Sequence, residues 1–444
     1  MIEFIVISLS VILLVDYITS GKNLSWPSIS YIGGFLLCAI VAYNWRVEWG
    51  LHKLSYGTLY FIVGGALLYF VVEFVYFKMY PIKTKEIDVS SDCFIPIKPI
   101  KLLLFFIFQI IAFYLFSKAK MAIAGTDNLA EALGQLNEET KFQGIALKIP
   151  TYARIPYYFC RSTGYIWAIL LPFYMFKSRE YRIQKFLIIL NFLACMVGVF
   201  LSGGRMGFVF YLIPMMIFFY IIYQNSVHWR GGFFSKKVMI ILVGVLFLLG
   251  TFWSGIGEAM GRKETKKLAN EIFAIYCGAE IKNLDDYIRF PYKQKDEGEH
   301  FGQYTFKGMY GSIFDRTFKL HHRSSDLDFN GYGYYSLGNV YTTYQDYYID
   351  FRYWGIWLAG LMSLVTAFFY RKAICSHFWE NGRMTLGILF YAYIANMPLL
   401  CFFANQFWGK FTINGEVKTI IYWGIMIIYL QGYRNNYLKR VKPE

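Results

Sequence analysis

The sequence is poor in charge. Only 16% of its 444 residues are Asp, Glu, Lys or Arg, where a soluble domain carries about 25%. Set against a 57% hydrophobic share, that shortage excludes a chain of ordinary soluble domains. Paired cysteines are missing too. Cys38, Cys93, Cys160, Cys195, Cys277, Cys375 and Cys401 form no C-x-x-C, and most sit in apolar runs. This argues against a disulfide framework or a cysteine zinc site. Walker A, GxGxxG and HExxH patterns are absent, so no nucleotide or zinc-peptidase signature is offered. No internal repeat stands out. The start, Met1-Ile2-Glu3-Phe4, lacks the basic region and small-residue cleavage site of a secretory leader and reads as a first membrane helix.

What is present is apolar length. About eleven segments are long enough to cross a bilayer, at about 2–19, 30–45, 57–77, 101–117, 155–176, 184–201, 206–223, 237–254, 351–370, 384–404 and 416–433. The fold class expected is an all-α polytopic membrane protein. Residues 1–254 hold the N-terminal segments, 255–350 one large loop, and 351–444 the C-terminal segments and tail. Aromatics make up 21%, with 43 Phe and 38 Tyr, which suits an interfacial belt.

The net charge is +15. The basic residues are dispersed between apolar segments rather than massed, so they read as topology determinants and not as a nucleic-acid surface. The loops with Lys78 to Lys101, Lys177 to Lys185, His228 to Lys237 and Arg371 to Arg383, and the tail Lys439-Arg440-Val441-Lys442, fall on one side if the segments alternate. The positive-inside rule makes that side cytoplasmic. The N-terminus is then outside and the C-terminus inside. The loop from Lys118 to Arg154, the Gly203-Gly204-Arg205 turn and the loop 255–350 are extracytoplasmic.

That outer face carries the chemistry. Gly203 and Gly204 let backbone N–H groups crowd into an anion nest just before a helix N-terminus. Arg205 adds a fork that fits phosphate. The alternative is a tight hairpin whose arginine snorkels. Arg154 and Arg161 lie about two turns apart and share one helix face. A charge at the depth of Arg161 costs roughly 2.5–3.5 kcal/mol on insertion scales unless it faces water or an anion, or snorkels. Asp346 and Asp350 stack at i, i+4 if their stretch is helical. Paired carboxylates can supply a general base; the alternative is capping acids in an aromatic belt. His321-His322-Arg323 is a proton acceptor or plain loop surface. Asp326-Leu327-Asp328 is too short a pattern to claim metal. Glu73 lies near a membrane interface, and that position explains it. No metal or cofactor is expected.

An apolar helix ending in Ser202-Gly203-Gly204-Arg205 and restarting at once resembles the Wzy-type oligosaccharide repeat-unit polymerases. So does a long outer loop ending in Asn339-Val340-Tyr341-Thr342, then Tyr348-Ile349-Asp350-Phe351, then a glycine-bearing helix. The resemblance spans most of the chain as architecture and two short stretches as motif. The family's usual Asp-Phe-Gly reads Asp350-Phe351-Arg352 here, with Gly355 three residues later.

The resemblance implies a fold of the integral-membrane, GT-C-like glycosyltransferase kind. It implies a bacterial cytoplasmic-membrane enzyme that joins repeat units carried on undecaprenyl diphosphate into O-antigen or capsule, without nucleotide. The diphosphate would meet Arg205, Arg161, Arg154, Gly203 and Gly204. The general base would be Asp346, Asp350 or His321. Asn339, Tyr341, Tyr344 and Arg352 would contact glycan, and aromatics such as Tyr332, Tyr334, Tyr335, Tyr344 and Trp354 would stack on sugars. Partners would be the lipid-linked oligosaccharide, membrane lipids, and a chain-length regulator and flippase of the same pathway. The competing readings are an O-antigen ligase and, from another class, a flippase or transporter with charges near the membrane midplane.

Overall fold

The structure, a computed structural model, describes residues 1–51, 53–82, 94, 96–142, 148–177, 179–202, 206–227, 229, 269–290, 300–311 and 329–432. About 75% of these residues are helical. In chain order the helices are α1 (Ile2–Thr19), α2 (Pro27–Asn44), α3 (Tyr56–Met79), α4 (Pro99–Ala124), α5 (Leu129–Phe142), α6 (Thr151–Ser162), α7 (Gly164–Met175), α8 (Arg182–Phe200) and α9 (Met206–Ser226). Then come α10 (Ala269–Cys277), α11 (Ala279–Arg289), α12 (Tyr344–Phe351), α13 (Trp357–Ile374), α14 (Leu386–Ile394) and α15 (Ile413–Gln431).

Local chemistry sets the helix ends. Pro27 and Pro99 open α2 and α4, where a missing N–H costs nothing. Ser55 caps α3 by accepting from the Thr58 N–H, as N-cap hydroxyls do. Gly125 closes α4 at φ +69, the left-handed cap that glycine adopts without strain. Asn128 caps α5 through the Ala130 N–H at 3.0 Å.

Among the described residues, seven helices are long and apolar enough to cross a membrane: Ile2–Thr19, Pro27–Asn44, Tyr56–Met79, Pro99–Ala124, Arg182–Phe200, Met206–Ser226 and Tyr344–Asn381. α1 turns Phe4, Ile7, Val11, Leu14 and Ile18 outward, a continuous apolar face that suits lipid. The chain is a multi-pass membrane protein.

The helices depart from the expected segments in informative ways. The segment expected at 101–117 runs on to Ala124, because Lys118 and Lys120 are carried in its last turns. The segment expected at 155–176 is two helices, α6 and α7. The segment expected at 384–404 is α14 followed by a single turn, Met397–Leu400. The segment expected at 237–254 lies outside the described residues. The all-α class holds, with one short exception. The long loop holds a hairpin of β1 (Asn330–Tyr332) and β2 (Tyr335–Gly338), antiparallel, with Tyr332 paired to Tyr335. Gly333 supplies the positive φ its turn requires.

The chain divides into two units. One comprises residues 1–83, 266–371 and 394–416; the other comprises 84–265, 372–393 and 417–444. The boundaries cut across the 1–254, 255–350 and 351–444 division, because helices pack on partners distant in sequence. In the first unit the Tyr31 and Tyr344 hydroxyls meet at 2.5 Å, and Tyr31 stacks on Tyr69 at 4.3 Å. In the second, Phe116 stacks on Tyr157 at 3.6 Å, and the Trp423 indole donates to the Ser162 carbonyl at 2.9 Å. The six described cysteines are free.

Candidate functional site

In the second unit the break between α6 and α7 builds the neighbourhood of Arg161. Ser162 Oγ and Thr163 Oγ1 turn back onto the carbonyls of Phe159 and Cys160, each at 2.7 Å. Such bonds compete with the helix ladder. The carbonyls at the break find outside donors: Tyr211 Oη gives to Arg161 O at 2.6 Å, and Trp423 to Ser162 O. A backbone interruption at membrane depth needs this kind of repayment. Gly164 makes room, since a side chain there would meet the Tyr211 ring.

Arg161, half-buried, sits among Tyr157, Tyr158, Tyr165 and Tyr211. Lys120, only 6% exposed, approaches it from α4. No carboxylate among the described residues pairs with either. Two cations thus lie within electrostatic reach of each other with no described carboxylate beside them, in surroundings of aromatic rings and hydroxyls. Such a place favours an anion.

Gly203, Gly204 and Arg205 lie outside the described residues. Their flanks are described. Ser202 reaches the Tyr157 hydroxyl that also borders Arg161, and Gly207 packs on Val199. Arg154 is exposed on α6.

In the first unit, Asp346 and Asp350 fall one turn apart on α12. Each is engaged. Asp350 Oδ2 accepts the Thr305 N–H at 2.6 Å, and Oδ1 accepts the Tyr304 N–H at 3.3 Å. Asp346 Oδ2 accepts from Lys307 and from Asn405, both at 3.1 Å. The two carboxylates thus fasten the segment around residue 305 to α12. The other glycan candidates differ in exposure. Tyr344 is wholly buried against Tyr31, so its hydroxyl serves the core and faces no open cleft. Asn339 and Tyr341 are half-buried. Arg352 lies over the Tyr348 ring at 5.2 Å and adopts φ +50, ψ −137. His321, Asp326 and Asp328 lie outside the described residues.

Beside α12 an open cleft of about 580 Å³ is lined by Tyr56, Gly57, Tyr60, Tyr353, Trp354 and Trp357. Trp354 is 76% and Tyr56 82% exposed. Flat aromatic faces in a shallow cleft suit the apolar face of a sugar ring. Among the described residues, no group of three His, Cys, Asp or Glu is arranged to hold a metal.

Several buried charges carry no mark of their role in the sequence. Lys120 reads as loop, because a charge ends an apolar run. Glu73 reads as interfacial, yet it is wholly buried and bonded to Ser28. Asp16 reads only as part of the first helix. Glu280, outside the spanning helices, is also fully buried and takes a contact from Cys38 Sγ at 3.7 Å. Its other oxygen has no partner. Burial pushes the Glu280 carboxyl well above the usual carboxylate range. Burial, with the Glu280 charge, pushes the nearby Cys277 thiol up to about 12. No spacing motif marks these residues; only a polar letter in an apolar context does.

Fold and site define a multi-pass membrane protein in which Arg161 and Lys120 share a buried, tyrosine-rich neighbourhood. Compared with known proteins, the chain matches no family model, no curated protein and no solved structure.

Proposed function

We propose that the protein polymerises undecaprenyl-diphosphate-linked oligosaccharide repeat units into a surface polysaccharide, at the outer face of the bacterial cytoplasmic membrane. The observation that carries this reading is the Lys120–Arg161 pair, with no described carboxylate beside it. The growing chain would leave a lipid diphosphate, and two cations within electrostatic reach of each other suit that leaving group. Arg205 and Arg154 join them in this reading. The acceptor hydroxyl needs its proton removed as the glycosidic bond forms, and Asp346, Asp350 and His321 are the candidates. The aromatic cleft at Tyr353 and Trp354 would stack on the glycan, with Asn339, Tyr341 and Arg352 beside α12 as polar contacts.

The finer topology belongs to the same proposal: about eleven spans, the N-terminus and the loop 255–350 outside, the C-terminus in the cytoplasm. In a cysteine-free background, Arg182→Cys should stay unlabelled by an impermeant thiol reagent on intact cells. Labelling from outside would overturn the orientation.

The deciding experiment is the glycan of cells lacking the protein. A single repeat unit capping the lipid core supports the polymerase. Full-length chains stranded on the carrier would make the protein a ligase. The transporter reading is tested by the same cells. It would be favoured if repeat units accumulated on the cytoplasmic side.

A further inference from the structure

The carboxyls in the spanning helices of the first unit form the strongest cluster outside the proposed glycan site. Asp16 lies in the last turn of α1 and Glu73 late in α3. Both are 0% exposed. Ser28, at the start of α2, joins them. Its N–H donates to Glu73 Oε2 at 3.0 Å and its hydroxyl to Oε1 at 2.9 Å. Glu73 thus caps α2 from another helix, where an N-terminal dipole favours a negative charge.

Asp16 has no such support. Among the described residues neither of its oxygens has a partner in hydrogen-bond geometry, although Ser28 approaches it and Glu73 lies within electrostatic reach. Apart from each other, no charged side chain among the described residues faces either carboxyl. In the same unit Asn23, Ser25 and Tyr370 bond to one another. Two bare carboxylates side by side in hydrocarbon are not sustainable.

A cation must complete the site. Calcium or magnesium would want six or more oxygens. The described residues offer no set of three ligating side chains. A proton needs only two oxygens. We propose that Asp16 and Glu73 form an intramembrane proton-binding site, with one proton held between the two carboxyls and Ser28 fixing Glu73 as acceptor.

Occupied, the site ties α1 to α2 and α3 through a neutral Asp16 O–H pointing to Glu73. Emptied, it sets two like charges together and drives α1 away. Asp16 lies three residues before the end of α1, and Ser28 is the second residue of α2. The site therefore sits at the membrane edge where the short α1–α2 turn lies, and protons reach it from that side. This inference does not rest on the glycan reading.

Infrared difference spectroscopy of the full-length protein in vesicles tests it. Near neutral pH the wild type should show a protonated-carboxyl stretch that shifts in heavy water. That stretch should be missing from Asp16→Asn and shifted in Glu73→Gln, where the protonated Asp16 has lost its carboxylate acceptor. Both variants replace one carboxyl by a neutral amide of the same shape and should fold; chromatography in detergent checks this. Raising the pH should remove the band, and sodium at fixed pH should leave it unchanged. A wild-type spectrum indistinguishable from both variants would overturn the proposal. So would a band that responds to sodium and not to pH. Should either variant misfold, titrating the wild-type band against pH decides the question: loss of the band as pH rises supports the site, and no band at any pH overturns it.

Discussion

Lys120 of α4 lies within electrostatic reach of Arg161 at the end of α6, and no described carboxylate pairs with either. Like charges are brought together in a folded protein at a cost. The ring of Tyr157, Tyr158, Tyr165 and Tyr211 offsets part of it, because ring faces and hydroxyl oxygens both attract cations. A bound diphosphate would offset the rest.

Substitution at this pair is the first prediction. Arg161→Ala should cut polymer output by on the order of 10²-fold or more, the scale of losing one preorganised donor to a developing anion. Arg161→Lys should recover only part, since the bidentate fork is gone. Lys120→Met, which keeps length but not charge, should weaken use of the lipid-linked substrate with membrane levels unchanged. Wild-type polymer from Arg161→Ala and Lys120→Met at equal expression would sink the diphosphate assignment.

The second prediction concerns Arg352, at the end of α12. Its φ of +50 with ψ of −137 is a conformation that costs a non-glycine residue about 1–3 kcal/mol. Arg352→Gly should therefore raise the thermal midpoint in detergent. A midpoint equal to or below the parent's rules out the strain. A stabilised variant that no longer polymerises would show that the side chain handles glycan.

Glu280 gives the third. Its carboxyl is held above its unfolded range by burial. The folded state then binds the proton more tightly than the unfolded chain. The stability this confers is full below the unfolded value and is lost as pH rises through the folded one. Glu280→Gln should remove that loss, so its advantage over the parent should grow from acid to alkaline pH. Parallel stability curves for the two proteins would contradict the assignment.

Asp346, Asp350 and His321 supply the fourth. Asp350→Ala strips the acceptors from the Tyr304 and Thr305 amides, and an unsatisfied buried donor costs about 1–3 kcal/mol. Asp350→Asn keeps one acceptor and should fold better than the alanine variant. If Asp350 is the base, the asparagine variant should be stable yet accumulate single lipid-linked units. Asp346→Asn and His321→Asn are read in the same way. Polymer of normal length from all three asparagine variants would move the base elsewhere.

That this is a helical membrane protein follows from the order of its residues alone. Apolar runs long enough for a bilayer have no other stable use, and helix ends at Pro27, Pro99 and Gly125 follow from single residues with fixed backbone preferences. The one-turn spacing of Asp346 and Asp350 is legible for the same local reason. Burial and pairing are not. Lys120 looks like a loop charge until α4 carries it to Arg161. Glu73 looks interfacial until Ser28 of another helix meets it. Tyr344 looks like a sugar platform until Tyr31 takes its hydroxyl. Each of these depends on a partner tens to hundreds of residues away. Hydropathy and spacing describe one segment at a time. Which polar group meets which is decided only when the helices pack and every buried donor and acceptor must be satisfied.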